Sequence, residues 1–221
     1  MKDCLIVLAK DPAAVPVKTR LKSVLSARDR RRLYEAFLKD TARLAKKVKC
    51  STRILAYESA GKEPVALKKI FKGFVRIPQE GGSLGERMHN AFCRARELES
   101  SRTVLIGSDS PTLPVELVEQ AFSGIGRDSI VVGPSLDGGY YLIGLHSPCW
   151  NMFQDMAWSS GRVLAQTLKR AQGLKKKVVL LAPGYDVDDS GSLKLLRSEL
   201  SHLRGRGVAS RTRQLLKELD G

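Results

Sequence analysis

Short apolar runs and segments of helical period alternate almost from end to end of this chain. That alternation narrows the available folds more than any other feature. CLIVLA (4–9), RILAY (53–57), GFVRI (73–77), TVLIGSD (103–109), SIVVG (129–133), YYLIGL (140–145) and KVVLLA (177–182) each read as a strand. Helices are predicted over 27–48, about 63–70, 84–98, a segment opening at Pro114 and about 160–172, with two more near 190–203 and 208–219 closing the chain. In the first, Leu33, Phe37, Leu44 and Val48 recur at helical spacing, and Ser26 and Asp29 are placed like a capping box. Pro114 suits the first turn of its helix. Strands alternating with helices argue for an α/β sandwich on a mostly parallel sheet. Asp137-Gly138-Gly139, a turn between two neighbouring strands, adds some antiparallel pairing. With 221 residues and no internal repeat, low-complexity segment or linker, residues 1–221 read as one domain.

Composition removes several function classes. No apolar run approaches membrane-spanning length, and the apolar stretch from Cys4 to Ala9 is too short for a secretion signal. A cytoplasmic protein without a membrane partner is expected. Cys4, Cys50, Cys93 and Cys149 are scattered with no C-x-x-C pair, and His89, His146 and His202 are equally dispersed. Zinc and thioredoxin-like chemistry therefore have no support. The formal net charge of +15 raises nucleic acid as a partner, but aromatic residues are only 6% and no RNA-recognition or zinc-finger signature occurs. The basic residues cluster on helical segments such as RDRRRLYEAFLKDTARLAKKVK, as a solvated face would, so no nucleic acid partner is expected.

In open α/β sheets ligands bind beyond the carboxyl ends of the strands. Five of the loops there are rich in Gly, Asp, Lys or Arg: Lys10 to Arg20, PQEGGSLGERM, GSDSPTL, GPSLDGGYY and PGYDVDDSGSL. Asp109 follows an apolar strand, with Gly107 and Ser108 allowing close approach. It is either a ligand for a hard cation such as Mg²⁺ or Mn²⁺, or the cap of a turn or helix. Asp186, Asp188 and Asp189 supply a second acidic cluster on the same edge. There Asp189 has the alternative of capping a helix and Asp186 that of being plain surface. Asp137, Gly138 and Gly139 form either a plain hairpin turn or a contact for a substrate hydroxyl. Glu86 and Arg87 form either a salt-bridged pair at a helix start or a substrate contact. GSDSP is not the G-x-S-x-G elbow of a serine hydrolase, and neither a Walker A loop nor G-x-G-x-x-G occurs.

The series AK-x-P…VKTRL, LGERM, GSDSPTL, GP-x-x-DGGYYLIGL, WSS…VL and DVDDSGSL resembles the bacterial CofC-like (2-phospho-lactate guanylyltransferase-like) transferases, from about residue 4 to about 195. These belong to the GT-A, or nucleotide-diphospho-sugar transferase, superfamily. The resemblance implies a single-domain Rossmann-like three-layer α/β/α sandwich binding a nucleotide over the first strands. By it, Ala9, Lys10, Pro12, Lys18, Arg20 and Ser108 contact the nucleotide, and Lys18 and Arg20 offset charge on its phosphates. Asp109 and Asp188 hold Mg²⁺ or Mn²⁺. Glu86, Arg87, Asp137, Gly138, Gly139, Tyr140 and Trp158 line the acceptor side. Val15 stands where that family's loop usually has glycine, which shifts phosphate binding from the backbone toward Lys18 and Arg20. Ser83 replaces a frequent aspartate, and Asp189 a common threonine.

The expected activity is metal-dependent nucleotidyl transfer from a nucleoside triphosphate to a small phosphorylated or hydroxyl acceptor, with pyrophosphate release. Lys18, Arg20 and Asp109 are its catalytic residues. Glycosyl transfer from a nucleotide-sugar is the alternative on the same fold. A basic nucleotide- or nucleic-acid-binding module without catalysis is the third reading.

Overall fold

The computed structural model describes residues 2–203 and 207–220. Seven strands form one sheet: β1 (Asp3–Lys10), β2 (Thr52–Glu58), β3 (Val75–Pro78), β4 (Arg102–Ile106), β5 (Ser129–Pro134), β6 (Tyr140–Leu145) and β7 (Lys177–Leu180), in the order β3-β2-β1-β4-β6-β5-β7. The β1–β2, β1–β4, β2–β3 and β5–β7 pairs are parallel, and β6 runs antiparallel to both β4 and β5. Every strand except β6 therefore ends on the same sheet edge, and β6 begins there.

Seven helices cover the sheet: α1 (Ala27–Lys47), α2 (Val65–Ile70), α3 (Leu84–Glu97), α4 (Val115–Gly124), α5 (Val163–Gly173), α6 (Ser190–His202) and α7 (Ser210–Asp220). The two-residue period of β1 sorts its side chains between two cores. Leu5, Val7 and Ala9 join residues of α1, α2, α4, α6 and α7, while Cys4 and Ile6 join residues of α3 and α5. The three layers and mostly parallel sheet expected from the sequence are thus present, with Asp137-Gly138-Gly139 joining the antiparallel β5 and β6.

Several boundaries differ from the sequence reading. The fourth strand ends at Ile106, not Asp109, because the chain turns there to meet the segment after β7, with Val187 N–H donating to Asp109 O at 2.9 Å. The third begins at Val75, after Gly73 takes a positive φ of 89°. The seventh ends at Leu180, and α5 starts at Val163. At the start of α1 the capping box is half made. Asp29 N–H donates to Ser26 Oγ at 3.1 Å, but the Asp29 carboxylate takes the Ser26 hydroxyl rather than its amide.

The last helix is capped from a distance. Ala209, just before α7, has no side-chain acceptor and sits at φ 47°. Asp40, buried on α1, supplies one, accepting from Arg211 N–H at 3.1 Å, Thr212 N–H at 2.8 Å and the Thr212 hydroxyl at 2.8 Å. Replacing Asp40 by alanine strands buried donors on Thr212. We expect Asp40→Ala to cost about 2–3 kcal/mol, or roughly 4–12 °C in Tm, and Asp40→Asn, which keeps one acceptor, to cost less. Urea denaturation of the two variants checks the ranking.

Candidate active site

The loop leaving β1 is built without glycine, and its own atoms take up the amides of residues 13–15. Ala13 N–H donates to Asp11 Oδ1 at 2.9 Å, and Ala14 and Val15 N–H donate to Asp11 O at 3.0 and 2.9 Å. Pro12 and Pro16 have no N–H to give. Val15 does not adopt a positive φ, so glycine is not required there. The left-handed residue is Lys18 itself, at φ 51° and ψ 39°, just before a 3₁₀ turn at Thr19–Leu21. For a residue with a Cβ that conformation costs about 1–2 kcal/mol, and it accompanies an inward-facing side chain.

The Lys18 side chain is only 2% exposed. Its Nζ lies 2.5 Å from Asp109 Oδ1 and 2.9 Å from Asp188 Oδ1, and sits 5.7 and 5.3 Å from the ring centroids of Tyr34 and Phe37. Burial pushes the ammonium pKa down, but the charges and hydrogen bonds of Asp109 and Asp188 more than reverse it, so it stands above the ordinary lysine value. The two carboxylates are 37% and 45% exposed and form the outer layer. In this conformation Lys18 faces the two aspartates from below.

Three strand ends meet at this point. Tyr34 on α1 accepts from Lys10 N–H at 3.0 Å and shares a 2.7 Å hydrogen bond with the buried Ser108 Oγ, joining the ends of β1 and β4. The Ser108 hydroxyl is therefore engaged inward. The segment after β7 brings Asp186, which accepts from Ser110 Oγ at 2.6 Å. Burial, and then the neighbouring Asp109, push the Asp186 carboxyl up to about 7, so it is not plain surface. Asp189 turns away to cap α6 through a reciprocal box with Ser192. The Ser192 amide and hydroxyl, and more weakly Arg20, hold its carboxyl below the usual range.

On the same sheet edge, at the ends of β2 and β3, lies a cleft of about 430 Å³ lined by residues that include Tyr57, Glu58, Ser59, Gln79 and Arg87. Gln79 Nε2 donates to Ala9 O and Ala56 O at 3.1 and 3.0 Å, pinning the buried end of β1 to the cleft wall. Arg87 bonds Glu58 at 3.1 Å and Gly81 O at 3.1 Å, and the exposed Lys10 lies 3.9 Å from the same Glu58. Glu86 does not pair with Arg87. It closes a capping box at the start of α3, accepting from Gly82 and Ser83 N–H at 2.6 and 3.1 Å, while Glu86 N–H donates to Ser83 Oγ. Pro12 is buried and Arg20 exposed.

The opposite side of the edge is a packed turn. Asp137 accepts from Gly139 N–H at 2.9 Å in a hairpin turn, and Gly138 has φ 83°. A Cβ on Gly138 would stand 2.2 Å from Gly161 O, so only glycine fits there. Leu136 N–H donates to Gly184 O at 3.0 Å, tying this turn to the segment that carries Asp186 and Asp188. Tyr140 and Trp158 pack edge to face at 6.5 Å, and the Trp158 ring lies against Gly85 of α3, where a Cβ would come within 3.0 Å. Both are half-buried, and the Tyr140 hydroxyl is buried without a hydrogen-bond partner.

The structure thus brings Lys18, Asp109 and Asp188 into direct contact and sets Ser108 behind them. It gives Arg87 to the cleft, ties Lys10 and Ala9 to the cleft residues Glu58 and Gln79, and puts Asp137, Gly138, Gly139, Tyr140 and Trp158 on the far side. Sequence reasoning missed Tyr34, Gln79, Asp11 and the half-buried position of Asp186. For Tyr34 the signal was a hydroxyl on the apolar face of α1. For Asp11 it was an Asp-Pro pair at a turn.

Among the described residues no group of three or more His, Cys, Asp or Glu side chains is arranged to hold a metal ion. The two exposed carboxylates nevertheless match what Mg²⁺ takes from proteins, since it is commonly bound through one or two carboxylates plus water and substrate phosphates.

This architecture is that of the nucleotidyl and nucleotide-sugar transferase fold. The chain belongs to DUF2064, a family described as an uncharacterized protein conserved in bacteria, whose pattern matches residues 41–160. A structure from Desulfovibrio desulfuricans G20, provisionally named a nucleotide-diphospho-sugar transferase, is 30% identical with a TM-score of 0.90, over 100% of this chain and 96% of that one. CMP:2-keto-3-deoxy-manno-octonic acid synthetase, solved with CTP, shares the fold at TM-score 0.53 and 13% identity over 91% of this chain and 99% of that one. Rv0371c from Mycobacterium tuberculosis H37Rv, solved with manganese, does so at 0.54 and 20% over 89% and 98%. No curated protein matches the sequence.

The raised Asp186 pKa sets a direction for stability. The native carboxyl keeps a proton that the unfolded chain releases above about pH 4, so this group makes stability fall as pH rises from about 4 through about 7. In chelator-treated buffer, Asp186→Asn is expected to remove that contribution and to melt higher than wild type at pH 8. Melting curves between pH 4 and pH 8 read the difference, and parallel profiles for the two proteins would contradict the assignment.

Proposed function

We propose that the chain is a divalent-cation-dependent nucleotidyltransferase of the kind its CofC-like motifs suggest, taking a nucleoside triphosphate and a small phosphorylated or hydroxyl acceptor. The observation that carries this reading is the meeting of Asp109 and Asp188, from the ends of two different strands, over one cation on the edge that also opens the cleft at β2 and β3. The cleft suits a nucleoside, with Gln79, Ser59 and Arg87 offering polar contacts. Asp109 and Asp188 would hold Mg²⁺ or Mn²⁺. A bound divalent ion would supply charge neutralisation and alignment for the phosphates.

In the reaction, an acceptor oxygen attacks the α-phosphorus. The new phosphorus–oxygen bond forms as the bond to the β-phosphate bridging oxygen breaks, and pyrophosphate leaves. Arg20, exposed and close enough to Asp189 to act on its carboxyl, is the side chain suited to meet the departing charge. The turn at Asp137 to Gly139, with Tyr140 and Trp158 behind it, is the acceptor side. Catalysis of this kind rests on positioning and electrostatics rather than on a protein nucleophile.

Glycosyl transfer from a nucleotide-sugar is the second reading, favoured by the name of the Desulfovibrio relative. In that case a nucleoside diphosphate leaves and the same carboxylates serve it. Thermal-shift measurements with nucleoside triphosphates and nucleotide-sugars, each with and without Mg²⁺ or Mn²⁺, separate the two, since a ligand of the native state raises Tm. We expect a metal-dependent shift with a triphosphate, and pyrophosphate release once an acceptor is supplied. Asp109→Asn should lower that release by about 100-fold or more with little change in Tm. Retained activity in this variant would remove the cation site from Asp109.

A further inference from the structure

Lys18 is an unusual occupant for its position. It is a buried ammonium on an aromatic floor, with its outward contacts limited to two carboxylates. A third carboxylate, Asp186, lies close enough for both Asp109 and Asp188 to act on it. Three acidic groups crowded at the end of a sheet repel one another, and without a counter-charge the loops that carry them would be driven apart. The Oδ1 atoms of Asp109 and Asp188 both turn inward to Lys18, and their Oδ2 atoms take no hydrogen bond among the described residues. Each carboxylate is therefore bound on one oxygen and open on the other. An ammonium so enclosed is not available to a phosphate, yet it acts on every charge that approaches the open oxygens.

We infer that Lys18 is a positioning residue, a built-in counter-ion that keeps Asp109 and Asp188 in place in the metal-free protein and weakens their hold on a free divalent cation. The inference rests on the proposed cation site. Lys18 cancels one of the two carboxylate charges at contact distance, so a divalent ion arriving alone meets a site of reduced negative charge. An ion that arrives with a nucleotide brings phosphate oxygens of its own and does not depend on the two carboxylates for most of its shell. The site is thus assembled in advance and selects the metal–nucleotide complex over the bare ion. A phosphate-binding role for Lys18 requires its side chain to leave the carboxylates. The counter-ion role requires it to stay.

The test is Mn²⁺ binding to the full chain without nucleotide, followed by electron paramagnetic resonance of free Mn²⁺, in wild type, Lys18→Met and the double variant Lys18→Met with Asp188→Asn. Methionine suits the floor of Tyr34 and Phe37 and removes the ammonium, its charge and its hydrogen bonds, while keeping an unbranched apolar side chain. The counter-ion role predicts weak binding by wild type and binding at least about tenfold tighter in Lys18→Met. It predicts a return to wild-type weakness or below in the double variant, which restores the formal charge of the cluster. A lysine that merely supported the fold would leave Mn²⁺ affinity unchanged or reduced, and either result in Lys18→Met overturns the proposal. If Lys18→Met fails to fold while the double variant folds, the counter-ion role is supported. If both fail to fold, Lys18 is needed for packing and the proposal falls. Metal-dependent turnover by wild type together with unchanged Mn²⁺ affinity in Lys18→Met sinks this inference alone. Absence of any metal dependence in wild type sinks the proposed function with it.

Discussion

Strand direction is the constraint on which the rest of this molecule depends. A parallel strand cannot be reached by a tight turn, so each return crosses a face of the sheet and each strand releases its chain at the same edge. Only β6 runs the other way, and it starts at that edge because it follows β5 by a hairpin. The result is that segments far apart in sequence, after β1, β4 and β7, are neighbours. Two backbone hydrogen bonds lock the neighbourhood: Val187 to Asp109, and Leu136 to Gly184. The chemistry at the edge follows from the topology and needs no special feature of any single loop.

What the topology gathers, electrostatics must make tolerable. Asp109, Asp186 and Asp188 share one small volume, and the protein answers their repulsion in two ways. Lys18 provides a counter-charge from beneath, and Asp186 holds a proton up to about pH 7 because burial and its neighbours disfavour its charge. Helix α1 supports both ends of this arrangement. Tyr34 and Phe37 form the floor under Lys18, and Asp40, further along the same helix, fixes α7. One helix thus couples the electrostatics of the site to the closure of the fold.

The fold was legible because both of its signals are local. The continuous apolar run of β1, buried on both faces, and helical spacing in α1 can be read within a few residues, and the parallel-sheet rule then assigns the loops to one edge. What was not legible depends on partners distant in sequence. Nothing near Lys18 reveals that its side chain is enclosed by residues 91 and 170 positions away. The same holds for Asp40 and its partners Arg211 and Thr212 in α7, 171 and 172 positions away. Other misreadings were avoidable. Ser83 and Glu86 have the spacing of a capping box, and that spacing explains Glu86 better than a pairing with Arg87, whose guanidinium goes to Glu58. Strand ends were misplaced where a loop is itself apolar or glycine-containing, as at Gly73 and Gly107.

The glycine-free loop after β1 takes its sense from these facts. Glycine-rich phosphate loops present backbone amides to an anion. Here Asp11 engages the amides of residues 13–15, and two prolines stiffen what remains. The strain that a glycine would have absorbed falls instead on Lys18, the one left-handed residue of the loop, and its side chain is the one the site draws inward. A loop of this build sets a fixed charge beneath the carboxylates. Stiffness suits such a counter-ion, since one that wandered would leave Asp109 and Asp188 unopposed.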